Sequence, residues 1–170
     1  MQDRQVGPEA AVSLRQVTAE TVLAVCKLSD TLPEQQQKMV APNAVSIAQA
    51  HFSEQAWFRA IYADETPVGF IMLYDNPAEQ EYFLWRLMIA APYQGQGFGR
   101  RAVELLIAYV KTRPGAKELL ASYVPIPGGP EGFYHKLGFL PTGEMDGGEV
   151  VVRRELLPQE SPSSQAALSQ

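Results

Sequence analysis

The segment Ala90-Ala91-Pro92-Tyr93-Gln94-Gly95-Gln96-Gly97-Phe98-Gly99-Arg100-Arg101 limits the possible folds of this chain more than any other. It follows Tyr82 to Ile89, a run apolar on both faces apart from Arg86, as a central strand is. It leads into Gly97 to Thr112, where Phe98, Ala102, Leu105, Leu106 and Tyr109 recur at helical spacing before Arg113-Pro114-Gly115 ends the pattern. A short strand over Leu119 to Tyr123 completes a β-α-β unit, so its two strands are expected to run parallel. Glycine at 95, 97 and 99 permits positive φ and leaves no Cβ between the backbone and an anion. The first turn of a helix adds unpaired N–H groups and the positive end of its dipole. The junction is therefore expected to hold a pyrophosphate, with Arg100 and Arg101 either adding charge or standing as solvated helix residues.

The remaining pattern supplies the rest of a mixed α/β fold. Val12 to Val17 alternates as a half-buried strand, and Thr18 is placed to cap a helix carrying Val22, Val25 and Leu28 on its apolar stripe. Asn43 is expected to cap a second helix with Ala44, Ile47, Ala48, His51 and Phe52 on its buried face. Trp57 to Ala63 and Val68 to Tyr74 flank a polar turn and form a hairpin. Pro130 to Leu137 reads as a short helix closed by Gly138, and Leu140 to Glu144 and Glu149 to Leu156 form a last hairpin around Asp146-Gly147-Gly148. The expected order is β-α-α-β-β-β-α-β-α-β-β.

With 170 residues, one domain is expected over 11–157, with a flexible start over 1–10 and a disordered, polar tail over 158–170. A net charge of −5 has the wrong sign for a protein that grips nucleic-acid phosphates. A single cysteine, Cys26, excludes an internal disulfide, and with only His51 and His135 no metal site is expected. No apolar run reaches a membrane span of ~18 residues and Met1 to Gln5 is not a signal peptide, so the expected location is the cytoplasm.

A P-loop is excluded because no Gly-Lys-Ser/Thr follows the glycines. Gly97-Phe98-Gly99-Arg100-Arg101-Ala102 formally fits a dinucleotide fingerprint, but Glu118 precedes the second strand instead of following it. The run Gln94-Gly95-Gln96-Gly97-Phe98-Gly99 resembles the Q/R-x-x-G-x-G/A pattern of the GNAT superfamily of N-acetyltransferases, and Tyr134-His135-Lys136-Leu137-Gly138-Phe139 resembles that family's tyrosine and Gly-Phe pair. The run from Leu84 to Gly97 is most similar to bacterial spermine/spermidine (diamine) acetyltransferases. The resemblance implies the GNAT fold, acetyl-CoA as co-substrate, and a small-molecule amine, leading candidate a polyamine, as acceptor, with a homodimer possible. It implies that backbone amides of Gln94, Gly95, Gln96, Gly97, Phe98, Gly99 and Arg100 hold the pyrophosphate. The edge of Leu87, Met88 and Ile89 would pair with the pantetheine arm, placing the acyl carbonyl near Leu87. Where many members carry an asparagine before the last helix this chain has Pro127, and the Gly128-Gly129 backbone is the expected substitute.

Acyl transfer from a thioester to an amine needs a neutral amine and a proton for the departing thiolate. Tyr134 is the candidate acid; the alternative is a core aromatic. An alkylamine is neutral only about once in 2,500 molecules at pH 7, so a base or desolvation is required. Glu81 at the edge of the central strand and Glu54 at the end of the second helix are the candidates, beside a water chain. Glu144, Asp146 and Glu149 form an acidic cluster able to hold a distant ammonium, or simply a polar hairpin face. A non-catalytic acyl-CoA sensor and an acetyltransferase of protein N-termini or lysines are the competing readings.

Overall fold

The computed structural model describes residues 6–156; the expectations for residues 1–5 and for the tail at 158–170 lie outside the described residues. Seven strands, β1 (Val12–Arg15), β2 (Ala56–Ala63), β3 (Thr66–Asn76), β4 (Glu81–Ile89), β5 (Glu118–Tyr123), β6 (Leu140–Asp146) and β7 (Glu149–Glu155), form one sheet in the order β1-β2-β3-β4-β5-β7-β6. All neighbours are antiparallel except β4 and β5, the parallel pair of the β-α-β unit. The closing hairpin turns through Gly147 and Gly148, both at positive φ, as an Asp-Gly-Gly turn demands. The helices are α1 (Val22–Lys27), α2 (Glu34–Gln37), α3 (Asn43–His51), α4 (Phe98–Lys111) and α5 (Glu131–Lys136). The expected order holds with one addition, the single turn α2, which carries no apolar periodicity to announce it.

Two apolar layers cover the sheet. Helices α4 and α5 pack on one face against Ile71, Leu73, Leu84 and Leu119, and α1 packs on the other with α3 against Ala60, Phe70, Met72 and Met88. The buried stripe of α4 is Phe98, Ala102, Val103, Leu106, Ile107 and Val110, so Leu105, expected inside, is 39% exposed. On α3 the expected face is turned outward. Asn43 and Ser46 are buried with Ile47 and Ala50 half-buried, while Ala44, Ala48, His51 and Phe52 are exposed. The reason is polar: Asn43 is no cap but sends its Nδ2 inward, donating to Val25 O at 2.8 Å and meeting Met88 Sδ at 3.6 Å. That bond ties α1, α3 and β4 together, and hydrophobic periodicity does not register it.

Residues 6–10, expected to be flexible, dock against the core through Val6 and Ala10. Arg101 holds them, donating from Nη1 to Ala10 O at 2.7 Å and from Nη2 to Pro8 O at 2.8 Å. At the other end of α4, Tyr109 Oη donates to Asp75 Oδ2 at 2.8 Å and Arg113 Nε to Asp75 Oδ1 at 3.1 Å. Burial and the Asp75 bond push the Tyr109 phenol up to about 12. Both ends of α4 are thus pinned, which fixes its N-terminus against the end of β4.

Gly69 lies opposite Ile89 where β3 meets β4, and a Cβ there would overlap the Met88 carbonyl oxygen and come within 2.8 Å of Ile89 Cδ1. Gly69→Ala is expected to destabilise the protein by about 2 kcal/mol or more, read as a fall in Tm on the order of 5 °C in thermal unfolding. An unchanged Tm would show that the β3–β4 spacing yields easily.

Candidate active site

Strands β4 and β5 pair only at Phe83 with Leu120 and at Leu84 with Ala121. One residue further, β4 carries a bulge: Leu73 faces Leu84 but Met72 faces Arg86, so Trp85 has no partner on β3. A bulge bends its strand and sharpens its twist. Strand β5 meanwhile stays paired with β7 as far as Tyr123 opposite Val150. The strands diverge, and a cavity of about 1100 Å³ opens between them, running from the α1–α3 segment near Leu32 and Val40 to the loop at Gly95 and Gly97.

Ala90 N donates to Val68 O at 2.8 Å, on the β3 side. Strand alternation then turns the backbone groups of Leu87 and Ile89 toward the groove and those of Met88 toward β3. Leu87 and Ile89 therefore present an edge to an extended ligand, whereas Met88 contributes a buried side chain to the core. A backbone N–H freed in this way can stabilise negative charge developing on an acyl oxygen.

The loop that follows is braced by Gln94, whose Nε2 donates to Ile89 O at 2.9 Å and to Gln36 Oε1 at 2.8 Å. Its own backbone N–H is spent on Ala91 O at 3.3 Å, so the run of available amides starts one residue later than expected. Gly95 and Gly97 have φ of 76° and 81°, and Gly97 is the left-handed N-cap of α4. Gly99 is an ordinary helical residue whose Cβ would meet Phe133 and Ile89 at 3.5 Å. Among the described residues the backbone N–H groups of Gly95, Gln96, Gly97, Phe98, Gly99 and Arg100 have no protein acceptor; Arg101 N is the first to bond, to Gly97 O at 3.2 Å. Phe98 offers only its backbone, since its ring is 1% exposed. Arg100 lines the cavity and pairs with Glu104 at 3.1 Å, while Arg101 is turned to the N-terminal segment. Gly129 N is taken by Ile126 O at 2.9 Å, which leaves Gly128, at φ 73°, as the backbone group standing in where Pro127 has no N–H. These amides fit a pyrophosphate and the groove fits an extended arm.

Tyr134 lines the cavity from α5, stacked on Tyr123 at 6.0 Å and edge-on to Phe139 at 5.4 Å. Burial pushes its phenol well above the ordinary value, and the Glu149 charge adds to this. It is a held proton, not a base. Glu81 also lines the cavity, from the outer end of β4, roughly 20 Å along the strand from Leu87. Glu54 is exposed beyond α3 and outside the cavity. Of the acidic hairpin cluster, Asp146 and Glu149 line the cavity and Glu144 does not. Glu149 accepts from Ser122 Oγ, and its charge is felt at both Tyr134 and Arg86. The sequence marked Arg86 only as the polar exception in an apolar strand; the bulge places it in the cavity.

The profile of the acetyltransferase (GNAT) family matches residues 25–139, and the chain belongs to that family. It is an N-acetyltransferase whose donor is acetyl-CoA. Among solved structures, an acetyltransferase from Thermus thermophilus superposes with a TM-score of 0.70 at 19% identity, covering 86% of this chain and 97% of that one. The ribosomal-protein-S18-alanine N-acetyltransferase of Escherichia coli gives 0.66 at 15% identity, covering 90% and 98%. The PaiA N-acetyltransferase of Thermoplasma acidophilum, in complex with coenzyme A, gives 0.63 at 18% identity, covering 85% and 99%. A sequence search of curated proteins returns no match.

A valine at position 97 must adopt a left-handed φ that β-branched residues avoid. Gly97→Val is expected to weaken acetyl-CoA binding at least about tenfold by calorimetry with the circular dichroism spectrum retained, because a shift of the loop misaims several amides together. Wild-type affinity would remove this loop from the donor site.

Proposed function

We propose that this enzyme acetylates the primary amine of a small molecule, with Tyr134 as general acid and Glu149 as the carboxylate that receives the amine's proton. The observation that carries the reading is the convergence of Tyr134, Glu149 and the Leu87 edge on one cavity where β4 and β5 part. Acetyl-CoA supplies a thioester whose carbonyl carbon accepts the amine nitrogen and whose sulfur leaves as a thiol. Leu87 offers its backbone N–H to the acyl oxygen as charge gathers there, and Tyr134 Oη donates its proton to the departing sulfur. Glu149, oriented by Ser122 Oγ, takes the ammonium proton before attack, and the second nitrogen proton, released as the amide forms, returns to the Tyr134 phenolate. The polyamine suggested by resemblance is one member of that class; Asp146 and Glu149 in the lining suit the ammonium of any such acceptor.

Walls at Leu32, Val40 and Ala41 on one side and at the Asp146-Gly147 turn on the other favour a small acceptor over a protein chain. Acyl transfer to a panel of polyamines, amino acids, aminoglycosides and peptides, followed through CoA release, separates an enzyme from an acyl-CoA sensor. Release with no amine, or with peptides alone, would overturn the small-amine reading.

Tyr134→Phe keeps the ring contacts with Tyr123 and Phe139 but loses the acid. It is expected to lower kcat at least tenfold even with water partly substituting for the acid, whose loss usually costs ~10²–10⁴-fold, with acetyl-CoA affinity nearly unchanged. A donor thioester with a more acidic thiol should narrow the gap. Because the phenol's pKa is raised, the protonated, active form persists through pH 10, so wild-type kcat should show no falling limb there. A mutant as fast as wild type with acetyl-CoA, with chemistry rate-limiting, would make Tyr134 a packing residue.

A further inference from the structure

The guanidinium of Arg86 stands in the cavity wall on the face of the sheet that α3 covers, one residue before the Leu87 edge. No carboxylate among the described residues lies within ion-pairing distance of it, although Glu149 is near enough for its charge to be felt. Burial lowers its pKa, which marks a cation held at a desolvation cost. Its donors are poorly matched. Nη1 bonds the neighbouring Trp85 O at 2.9 Å, Nη2 has only Gln49 Oε1 at 3.3 Å, and Nε is buried with no acceptor. Nε and Nη2 form the side-on edge that takes a carboxylate through two parallel hydrogen bonds. Here that edge has one weak acceptor, supplied by an exposed side chain on α3.

We infer that Arg86 is an anion-binding residue of the acceptor site, so that the acceptor carries a carboxylate as well as its amine. This rests on the N-acetyltransferase reading above and narrows its substrate class. The carboxylate displaces the Gln49 amide oxygen from the Nε–Nη2 edge, and the ammonium faces Glu149, held by Ser122 on β5. A single planar guanidinium suits a monoanionic carboxylate better than a phosphate dianion, because the only other arginine lining the cavity among the described residues, Arg100, sits at the donor end beside Gly99. An unsubstituted polyamine would bring a second ammonium toward Arg86 and is disfavoured.

The test compares acceptors that share an amine and differ in the anion: free amino acids and ω-amino acids against their carboxamides, with spermidine alongside. On the wild-type protein the carboxylates should show a kcat/KM at least about tenfold above their amides and above spermidine, the range of a charge-assisted pair. In Arg86→Gln and in the milder Arg86→Lys, that preference should shrink, through KM, with acetyl-CoA affinity unchanged. A wild-type enzyme that turns over amides or spermidine as well as the carboxylates overturns the Arg86 site and leaves the N-acetyltransferase reading intact. A preference that survives both substitutions in folded protein also overturns it. Bound acetyl-CoA with no transfer to any of these amines overturns the reading itself, and the inference with it.

Discussion

The parting of β4 from β5 is the constraint on which the rest of the molecule turns. Their parallel ladder holds at Phe83 and Leu84 only, and from there each strand follows a different partner, β4 bent by its Trp85 bulge along β3 and β5 paired to β7. A sheet interior is ordinarily the least accessible part of a fold, because every backbone group there is paired. By withdrawing two central strands from one another, the chain exposes unpaired backbone edges inside a low-dielectric setting. Such groups cost stability without a partner, and a ligand with an extended polar arm supplies one.

The gap is approached from both faces, and the two faces carry different chemistry. Tyr134 belongs to the layer under α4 and α5, surrounded by aromatic rings that keep its proton in place. Arg86, Ser122 and Glu149 belong to the opposite face, by the alternation that puts Leu87, Tyr123 and Val150 against the α4 side. The phenol and the charged groups are therefore separated by the thickness of the sheet and meet only where the sheet is open. The same bulge that opens it also resets the alternation of β4, so Arg86 joins Met88 on the face that α3 covers instead of Leu84 on the face that α4 covers.

Helix α4 supplies the third requirement, a fixed array of amides. Arg101, which as a helix residue beside the glycines looked suited to phosphate, instead clamps the N-terminal segment, and Asp75 gathers Tyr109 and Arg113 at the far end. The helix cannot slide, so the free N–H groups from Gly95 to Arg100 keep one position relative to the Leu87 edge. Binding then relies on backbone and on the helix dipole more than on charged side chains, which is compatible with a chain of net charge −5.

Much of this was legible in the residues. The alternating glycines at a strand–helix junction, the apolar run before them and the Tyr134 to Phe139 motif pointed to the fold class and to a loop of free amides, because φ > 0 and close backbone approach are demands that only certain residues meet. Local pattern failed where polar side chains did the packing. Asn43 and Ser46 occupy the buried side of α3, so its apolar spacing pointed the wrong way, and Val6 and Ala10 dock through an arginine far along the chain. The surroundings of the acidic residues were out of reach for the same kind of reason. Glu81 and Glu149 are equivalent as residue types, and only the register of β7 on β5 brings Glu149 beside Ser122 while strand length carries Glu81 away. The sequence by itself determined which backbone could bind a pyrophosphate, since conformational freedom is a local property. Which charges line the cavity was decided by tertiary structure alone, through one unpaired residue in β4 that no periodicity encodes.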